Sequence, residues 1–427
     1  RGEGPPPGDR RPGPPPRDPV PIGGSDSDFD YVKANITVDG ELFTDAGLRF
    51  KGNSSYRFAS RGYKRPLKID TNRFVKGQKL HGRTKVNLST AFLDPAYMKE
   101  KLGYEVYKAA GIPTPGIGWA RVTLAIEGVL EKEVLGLYVL VEQMDKHYLV
   151  RQFGKQTKGS LLMKPEGSTD WQYPGDDSNL YEEAFSIKEG EDNEDQIRLF
   201  GKFLKFIKET SDAEFAQGIG KKLDLDMFAG YLAATSLLGS VDSYIGMPHN
   251  YYLLVDRADD KVKLLPWDVN EAFGTFAMGT SPDALARWDI DRPWVSNIPL
   301  VTRLFATEAF PKRYRAKVTE LMKEQFTANQ LLARMDRFEK ALTPHLDDQG
   351  IQDLRQGIDG DDSGYNKAVS RSVFALKPFI KRRIASVKAQ LAGKEEGVTV
   401  EGPGRGRRGP GGERGSRPGG RRSKTEP

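Results

Sequence analysis

Residues 239–274 read GSVDSYIGMPHNYYLLVDRADDKVKLLPWDVNEAFG, and this stretch decides the fold class. Two apolar runs, NYYLLV and KVKLLP, flank a short polar run, so they predict a β-hairpin at about 250–268. The preceding segment, DLDMFAGYLAATSLLGS at 224–240, is mostly apolar and predicts a buried helix with Asp224 or Asp226 near its start. A buried helix and a hairpin therefore carry the polar residues of this stretch.

Three of these polar residues stand at the junctions: Asp242 ends the helix, Asn250 opens the hairpin and Asp268 closes it. Phosphoryl transfer needs a carboxylate near the acceptor hydroxyl and oxygen ligands for a Mg²⁺ ion that bridges the phosphates. Kinases use an Asp, an Asn, a β-hairpin and an Asp in this order. The alternative is structural, with the first Asp capping a turn, the Asn starting a strand and the last Asp capping the next element. Spacing alone leaves both interpretations open.

The sequence before this stretch is rich in predicted strands. Alternating apolar and polar residues at 31–50, around Asp39–Gly40, predict a β-hairpin. The segments KRPLKID and KVNLST (85–90) predict short strands, and WARVTLAIEG and VLGLYVLVEQ predict two more. Between these pairs, residues 94–111 predict a helix that Asp94 caps.

After Gln143 the pattern becomes mainly helical, most clearly at about 298–391. The polar segment 168–195 predicts an exposed insertion. We therefore predict an α+β protein with an atypical bilobal, protein-kinase-like fold. Its β-rich N-lobe, the nucleotide lobe, spans 25–143, and its helical C-lobe, which carries the catalytic hairpin, spans 144–392.

Both ends of the chain, 1–24 and 393–427, are rich in Pro, Gly and Arg, and we predict that they are disordered tails. The C-terminal tail has nine Lys and Arg against five Asp and Glu, which is most of the net charge of +6. The core is then almost neutral, which argues against a specific nucleic-acid-binding domain. The basic tail either contacts RNA or anionic surface polymers such as a cell wall, or is a solubilising linker without a partner.

Several absences narrow the chemistry further. The 427 residues include no cysteine, which excludes disulfides, thiol catalysis and Cys-ligated metal sites. None of the four histidines has a partner at helical metal-ligand spacing, which argues against a zinc hydrolase. No apolar run approaches the roughly 18 residues of a transmembrane helix. Because the chain begins with Arg, we expect an upstream piece, and a signal peptide is one candidate.

A candidate phosphate-binding loop follows the first predicted hairpin and consists of Gly52, Asn53, Ser54 and Ser55. Small residues between two strands let backbone N–H groups approach phosphate oxygens. The loop lacks the G-x-G-x-x-G pattern, and an ordinary tight turn is the alternative.

Two lysines are candidates for neutralising the nucleotide phosphates. Lys68 lies on the strand after the candidate loop and is our preferred residue, whereas Lys85, at the start of the strand before the helix, is the rival by kinase topology. Glu100 or Glu105, on the helix, would pair with that lysine. The alternative for all four is a solvated surface position.

Seven segments of this sequence resemble the CotH kinase family, in the family's order, from about residue 30 to 392. They are RFKGNSS, KRPLKI, GLYVLVEQMD, HNYYLL, LPWDVNEAFG, NIPLVTRLF and LKPFIKRRI, and RFKGNSS together with PWD is specific to the family. The resemblance implies an atypical secreted protein kinase that uses ATP and Mg²⁺ to phosphorylate Ser in coat or secreted proteins.

The resemblance also implies roles for individual residues. Asp242 matches the catalytic aspartate, and Asp268 stands where ordinary kinases place a metal-binding aspartate. Asn250 would be the second metal ligand, although seven residues separate it from Asp242, where ordinary kinases have four. Glu142 and Lys164 fall on family positions. Glu142 is at the predicted hinge, and Lys164 either reaches a phosphate or lies on the surface.

Two neighbouring residues qualify this picture. Asn270 occupies a position where many members of the family carry an acid, which would weaken the ligand set around Asp268. His249 is expected to order the hairpin rather than to perform chemistry.

Three functions follow from this pattern. The first is a secreted or cell-surface Ser/Thr protein kinase with ATP and Mg²⁺ or Mn²⁺ as cofactors and a coat or extracellular protein as substrate. The second is a non-catalytic surface or adhesion protein on the same fold. The third is a kinase of a small molecule or polysaccharide. The presence of all three residues Asp242, Asn250 and Asp268 favours an enzyme.

Overall fold

The computed structural model of the protein describes residues 29–401, with internal gaps. The gaps are at 53, 59–61, 168, 170, 176–183, 278, 296–297, 361–364, 367–370 and 373–374. Asn53 and the predicted N-terminal tail therefore lie outside the described residues.

Most strands belong to two antiparallel sheets. The strands are β1 (Val32–Val38), β2 (Glu41–Phe50), β3 (Leu67–Asp70), β4 (Lys85–Ser89), β5 (Ile117–Ile126), β6 (Leu130–Glu142), β7 (Leu161–Pro165), β8 (Phe185–Glu189), β9 (Tyr251–Asp256), β10 (Lys261–Pro266), β11 (Tyr365–Asn366) and β12 (Arg371–Ser372). The first sheet has the order β1-β2-β3-β4-β6-β5, the second β10-β9-β7-β8, and β11 pairs with β12 alone. The first sheet belongs wholly to the predicted N-lobe.

Helices dominate the part of the chain after the first sheet. The helices are α1 (Ser54–Phe58), α2 (Lys99–Ala109), α3 (Lys146–Phe153), α4 (Glu194–Glu209), α5 (Asp212–Gly218), α6 (Leu225–Leu237), α7 (Pro282–Ala286), α8 (Pro299–Phe305), α9 (Ala309–Glu324), α10 (Ala328–Leu342), α11 (Asp348–Asp359) and α12 (Leu376–Leu391). The α+β class, with a β-rich first region and a helical second region, is confirmed.

The two faces of the first sheet have different surroundings. Leu67, Ile69 and Val86 belong to a small apolar cluster on one face, whereas Val139 and Val141 belong to the main core on the other. Side chains alternate along a strand, so residues between the members of the small cluster point towards the main core and α2. This alternation places part of β3 and β4 on the inner side of the N-lobe.

Helix α2 begins later than the sequence predicted. Asp94 was expected to be its N-cap, but the N-cap is Met98. Asp94 nevertheless serves the same end, because its carboxylate accepts hydrogen bonds from the backbone N–H groups of Lys99 (2.7 Å) and Ala96 (3.2 Å). Asp94 therefore caps α2 from five residues before Lys99, the first residue of the helix, rather than from the N-cap position itself.

The buried helix and the β-hairpin that the sequence predicted are present as α6 and β9–β10. Asp224 is the N-cap of α6, and its side chain accepts a hydrogen bond from the N–H group of Met227 at 3.0 Å. Ten residues of the helix are buried. Each residue of β9 is buried as well, because β9 lies between β10 and β7 in the second sheet. The hairpin therefore starts from a rigid base.

Two boundaries differ from the sequence-based expectation. The segment expected to be an exposed insertion contributes the strand β8 and the side chain of Trp171, which is 2% exposed. The C-terminal tail was expected to begin at residue 393, yet Val398 bridges to Trp288 and Val400 is buried. The apolar residues of both segments are isolated among polar residues, so no apolar periodicity marks them as buried.

Candidate active site

Asp242 lies in a tight loop between α6 and β9. The loop is closed by hydrogen bonds from Met247 N–H to the Val241 carbonyl (3.2 Å) and from Gly246 N–H to the Ser243 carbonyl (3.1 Å). A Cβ atom at Gly246 would lie 1.8 Å from the Val241 carbonyl oxygen, so only glycine fits here. This compact loop accounts for the unusual number of residues between Asp242 and Asn250.

The loop brings His249 and Asn250 back onto the carboxylate of Asp242. The Asn250 amide Nδ2 donates to Asp242 Oδ2 at 2.8 Å, and His249 Nε2 lies 2.9 Å from Asp242 Oδ1. Burial alone would lower the pKa of His249, but the hydrogen bond and charge of Asp242, helped by Asn250 and Asp268, raise it overall. The carboxylate is therefore held through both of its oxygens.

Asn250 precedes β9 and Asp268 follows β10, so both stand at the open end of the hairpin. Tyr251 pairs with Pro266, and Trp267 N–H donates to the Asn250 carbonyl at 3.1 Å, so the two polar residues follow directly from the last ladder contacts. Both have left-handed backbones, with φ of 56° and 54°. Asn and Asp tolerate this conformation better than most residues, and it turns their side chains away from the strand direction.

Helix α2 supplies a further carboxylate beside Asp268. Glu100 is only 4% exposed, and burial, followed by the charge of Asp268, raises the pKa of its carboxyl group to about 8 despite the opposing charge of Lys51. The helix packs closely on the turn after Asp268, since a Cβ atom at Gly103 would lie 3.1 Å from a methyl group of Val269.

The structure separates the two candidate glutamates of α2. Glu105 pairs with Lys101 at 3.3 Å and with Arg334 of α10 at 3.6 Å, so it links α2 to the helical region. Glu100 instead lies next to the candidate site. Glu105 is thus tied to the helical region, and a role of Glu100 at a nucleotide stays a prediction.

Lys68 lies on the inner face of the first sheet. It pairs across the strands with Asn87 of β4, which in turn pairs with Val141 of the main core. Lys85, the rival, begins the same β4 strand and lines a separate cavity of about 270 Å³ with Asp145 of the α3 N-cap. The assignment of Lys68 as the phosphate lysine stays a prediction.

The candidate phosphate loop starts at Gly52, directly after β2. Gly52 has φ +79°, and a Cβ atom there would lie 2.3 Å from the Ser55 hydroxyl, so this position favours glycine. Ser54 and Ser55 begin the short helix α1 rather than a simple turn between strands. Their contact with phosphate stays a prediction, and Asn53 lies outside the described residues.

Glu142 ends β6 at the predicted hinge and is 2% exposed. Its carboxylate contacts the guanidinium groups of Arg83, at 2.9 Å, and Arg151, and it accepts a hydrogen bond from the Gly116 N–H group at 2.8 Å. These contacts tie the end of β6 to α3 and to the start of β5. A contact of Glu142 with a nucleotide stays a prediction, as does a hinge at this position.

Lys164 is half-buried near the end of β7, one residue beyond the pair Met163–Leu253. Its neighbour strand β9 carries Tyr252, whose hydroxyl group accepts a hydrogen bond from the Gln143 amide at 3.0 Å. Lys164 is thus close to the connection between the two sheets, and its contact with phosphate stays a prediction.

Sequence reasoning missed Lys51 and the contacts of Asn87. The positive charge of Lys51 acts on the carboxyl group of Glu100. Lys51 follows the last residue of β2, and from this position the sequence does not show which way its side chain points. Asn87 donates to the Val141 carbonyl at 3.2 Å and to the Gln143 amide oxygen at 3.3 Å, so it links β4 to the chain leaving the sheet. The signal for Lys51 was its place in the segment RFKGNSS.

The oxygen donors at the hairpin fit a hard divalent cation. Asp268 offers a carboxylate and Asn250 an amide oxygen, and Mg²⁺ is commonly held by one or two carboxylates together with substrate phosphates. Across the described parts of the chain, no three His, Asp or Glu side chains come close enough to hold an ion by themselves. The residues therefore suit an ion that arrives with a nucleotide.

None of the described helices is long and apolar enough to cross a membrane.

Comparisons with known proteins found one relative by sequence and also similar solved structures. Inner spore coat protein H of Bacillus subtilis (strain 168) is 22% identical over 304 residues, which cover 70% of this chain and 77% of that protein. Among solved structures, a chain of the Shewanella oneidensis MR-1 toxin–antitoxin complex of HipA, HipB and operator DNA is similar to this protein. The identity is 11% and the TM-score is 0.32, and the match covers 72% of this chain and 58% of that one. The Helicobacter pylori proinflammatory kinase CtkA matches with 9% identity and a TM-score of 0.26, covering 77% of this chain and 94% of that one.

The structural scores are too low to add to the fold assignment, which depends on the observed elements and on the family. The profile of the family described as CotH kinase protein matches residues 48–387, a range that contains the loop at Gly52, helix α2 and the hairpin. With most of its length covered, this protein belongs to the CotH kinase family and has a protein-kinase-like α+β fold.

Proposed function

We propose that the protein is an atypical protein kinase that transfers the γ-phosphate of ATP to Ser or Thr of another protein. The observation that carries the proposal is the convergence of Asp242, Asn250 and Asp268 at the open end of the β9–β10 hairpin. The turn after Asp268 packs on α2, and the fold has a β-rich first region and a helical second region. That combination supplies what phosphoryl transfer needs, which is positioning and charge neutralisation rather than a covalent step.

Asp242 would orient the acceptor hydroxyl group and accept its proton. Its two oxygens are already fixed by His249 and Asn250, so little reorganisation is needed when an acceptor binds. The γ-phosphorus–oxygen bond to the acceptor forms as the bond to ADP breaks, and the hydroxyl proton passes to the carboxylate. Asp242 is the residue we expect to matter most for the rate.

ATP would lie between the first sheet and the hairpin. Gly52–Ser55 and Lys68 would contact the phosphates, Lys164 would support them, and the hinge at Glu142 would adjoin the adenine. Asn250 and Asp268 would hold Mg²⁺ or Mn²⁺. A bound cation would neutralise charge on the phosphates.

The family and the named relative also support a proposal for the substrate class and the location. Because that relative is an inner spore coat protein, we infer a coat or extracellular protein as substrate and a secreted or cell-surface location. The basic C-terminal tail would keep the enzyme near anionic surface polymers.

The test is incubation of the full chain with γ-labelled ATP, Mg²⁺ or Mn²⁺ and an acidic acceptor protein. Asp242→Ala and Asp268→Ala should abolish labelling without unfolding the protein. Asp195→Ala is the matched control, since this exposed residue of α4 pairs with Arg198 at 3.0 Å and should leave labelling unchanged. Labelling that persists in both site variants would disprove the assignment. No labelling by the wild type, together with no stabilisation by ATP, would favour the non-catalytic surface protein.

A further inference from the structure

A cavity of about 850 Å³ is bordered by the end of β8, the first turn of α4 and the turn that closes the β9–β10 hairpin. Five carboxylates line it, against two basic side chains. The acids are Glu189, Glu191, Asp192, Asp195 and Asp260, and the basic residues are Lys188 and Arg257. The first three of these acids form no salt bridge with any described residue. The cavity therefore has an excess of negative charge.

Stabilisation of α4 accounts for only part of this set of acids. Acidic side chains near the start of a helix interact favourably with the positive end of the helix dipole. Asp195 lies in the first turn of α4, and Asp192 directly precedes the N-cap Asn193. Glu189 ends β8, however, and Asp260 belongs to the hairpin turn. Three separate elements thus bring carboxylates to one cavity.

The buried side chain of Gln196 shows that the cavity lacks a donor as well as a positive charge. Gln196 lines the cavity and is 5% exposed, and its amide Nε2 donates to Asp260 Oδ1 at 3.4 Å. Its Oε1 atom has no hydrogen-bond partner in the described part of the chain. A buried amide oxygen without a donor is costly to the folded state. Because guanidinium and ammonium groups supply both positive charge and N–H donors, the cavity suits Arg or Lys side chains.

The chain itself supplies such side chains after Glu401, the last described residue. Residues 402–427 contain eight Lys and Arg against two Glu, and the runs 405–408 (RGRR) and 421–424 (RRSK) each hold three basic residues. The chain from Glu401 to Arg421 can span up to about 65 Å, whereas a folded core of this size is roughly 55 Å across. The run 421–424 is therefore the one that can reach most of the surface of the core.

We propose that the basic run 421–424 docks in this cavity of its own chain. The guanidinium groups of Arg421 and Arg422 and the ammonium group of Lys424 pair there with the carboxylates, and one of them donates to Gln196 Oε1. Strand β10 separates the cavity from the open end of the hairpin by about 20 Å. The docking site is therefore distinct from the proposed catalytic site, and the inference does not depend on the proposed function. An anionic surface polymer would compete with the cavity for the same run.

The experiment treats the full chain with a carbodiimide, which joins an amine directly to a carboxylate, and maps the products by mass spectrometry. Lys424 is the only lysine of residues 402–427, so its cross-links report where this run lies. We expect it to be joined mainly to the exposed acids Glu191 and Asp192. The yield should fall at least about fivefold in 1 M NaCl, because the screening length is then only about 3 Å.

A pair of double variants tests the basic run without changing either the lysine or the carboxylates. Arg421→Gln with Arg422→Gln removes two of the three docking charges, and we expect it to lower the yield at Lys424 at least about fivefold. Arg405→Gln with Arg407→Gln is the matched control, because it removes the same charge from the other run and should leave the yield unchanged.

Three results would overturn the inference. The first is the absence of cross-links from Lys424 to the cavity, or their spread over carboxylates elsewhere on the surface. The second is an equal yield in the two double variants. The third is a link between unlabelled and isotope-labelled chains in a mixture, which would assign the run to a second copy. None of these results depends on phosphate transfer, so a failed kinase assay would leave the inference standing.

Discussion

At the scale of single residues, the site depends on how firmly Asp242 is held. His249 Nε2 at 2.9 Å and Asn250 Nδ2 at 2.8 Å occupy one oxygen each. The sequence placed His249 beside the hairpin but gave it no contact, because a seven-residue spacing does not show whether a loop folds back. The close packing at Gly246 shows that the loop folds back towards Asp242. His249 is thus a positioning residue for the proposed catalytic base.

His249→Gln should therefore lower kcat while leaving KM for ATP nearly unchanged. Loss of one fixed contact lets the carboxylate rotate, and misplacement of this kind costs about 10- to 100-fold in rate. Steady-state kinetics against ATP will separate the two constants. His345→Gln, at an exposed position, serves as the control. An equal loss in both variants, or a rise of KM alone, would contradict the positioning role.

The same contact should make stability depend on pH. The pKa of His249 is raised above its ordinary value of 6.5 by Asp242, although burial opposes the shift. A raised pKa stabilises the folded state fully below pH 6.5, and the stabilisation disappears as pH rises through the folded-state pKa. The melting temperature of the wild type should exceed that of His249→Gln more at pH 5.5 than at pH 8.5. A difference that is the same at both pH values would show that the imidazole does not titrate with the predicted shift.

At the scale of elements, the strands and the hairpin followed from alternating apolar residues, and the buried α6 followed from its composition and the Asp224 cap. Strand β8 escaped prediction, because FSIKE adjoins a long polar segment and contains few apolar residues. The start of α2 was misplaced because Asp94 caps it from a distance. Contacts between elements, such as Glu105 of α2 with Arg334 of α10, depend on tertiary packing, and no local pattern in the sequence encodes them.

Helix α2 is fixed at its N-terminus by the buried Lys99. Its ammonium group donates to the Thr275 hydroxyl (2.7 Å) and the Leu93 carbonyl (3.3 Å), with Asp94 and Glu271 close enough to act on its charge. Burial lowers the pKa of Lys99 to about 8, and the two carboxylates oppose this shift. The lysine thereby connects α2 to the segment after the hairpin.

Lys99→Met should destabilise the protein by about 3 kcal/mol, because it leaves two buried carboxylates without their cation. Lys108→Met, at an exposed position of the same helix, should stay within about 0.5 kcal/mol of the wild type. Urea denaturation followed by tryptophan fluorescence gives both values. Equal midpoints for the two variants would mean that Lys99 does not hold the helix.

At the scale of the whole molecule, helix α12 completes the core around α6, the helix that precedes Asp242. Arg383 of α12 is fully buried, and its guanidinium group donates to the carbonyls of Ser236 (3.0 Å), Trp288 (2.6 Å) and Ala286 (3.4 Å). These acceptors lie near the C-terminal ends of α6 and α7. One side chain therefore connects α12 to the helix that leads into Asp242.

Arg383→Met should destabilise the protein by at least about 3 kcal/mol, since three buried carbonyl groups lose a charged donor at once. The neighbouring Arg382→Met is the control. Its guanidinium group is 38% exposed and lies 3.5 Å from Asp283, so its loss should cost less than about 1 kcal/mol. Urea midpoints with an unchanged m-value will test the comparison. If Arg383→Met unfolds at the same urea concentration as Arg382→Met, the connection from α12 to α6 contributes little. Any loss of activity in Arg383→Met would then be explained by a displaced Asp242 and not by a loss of stability.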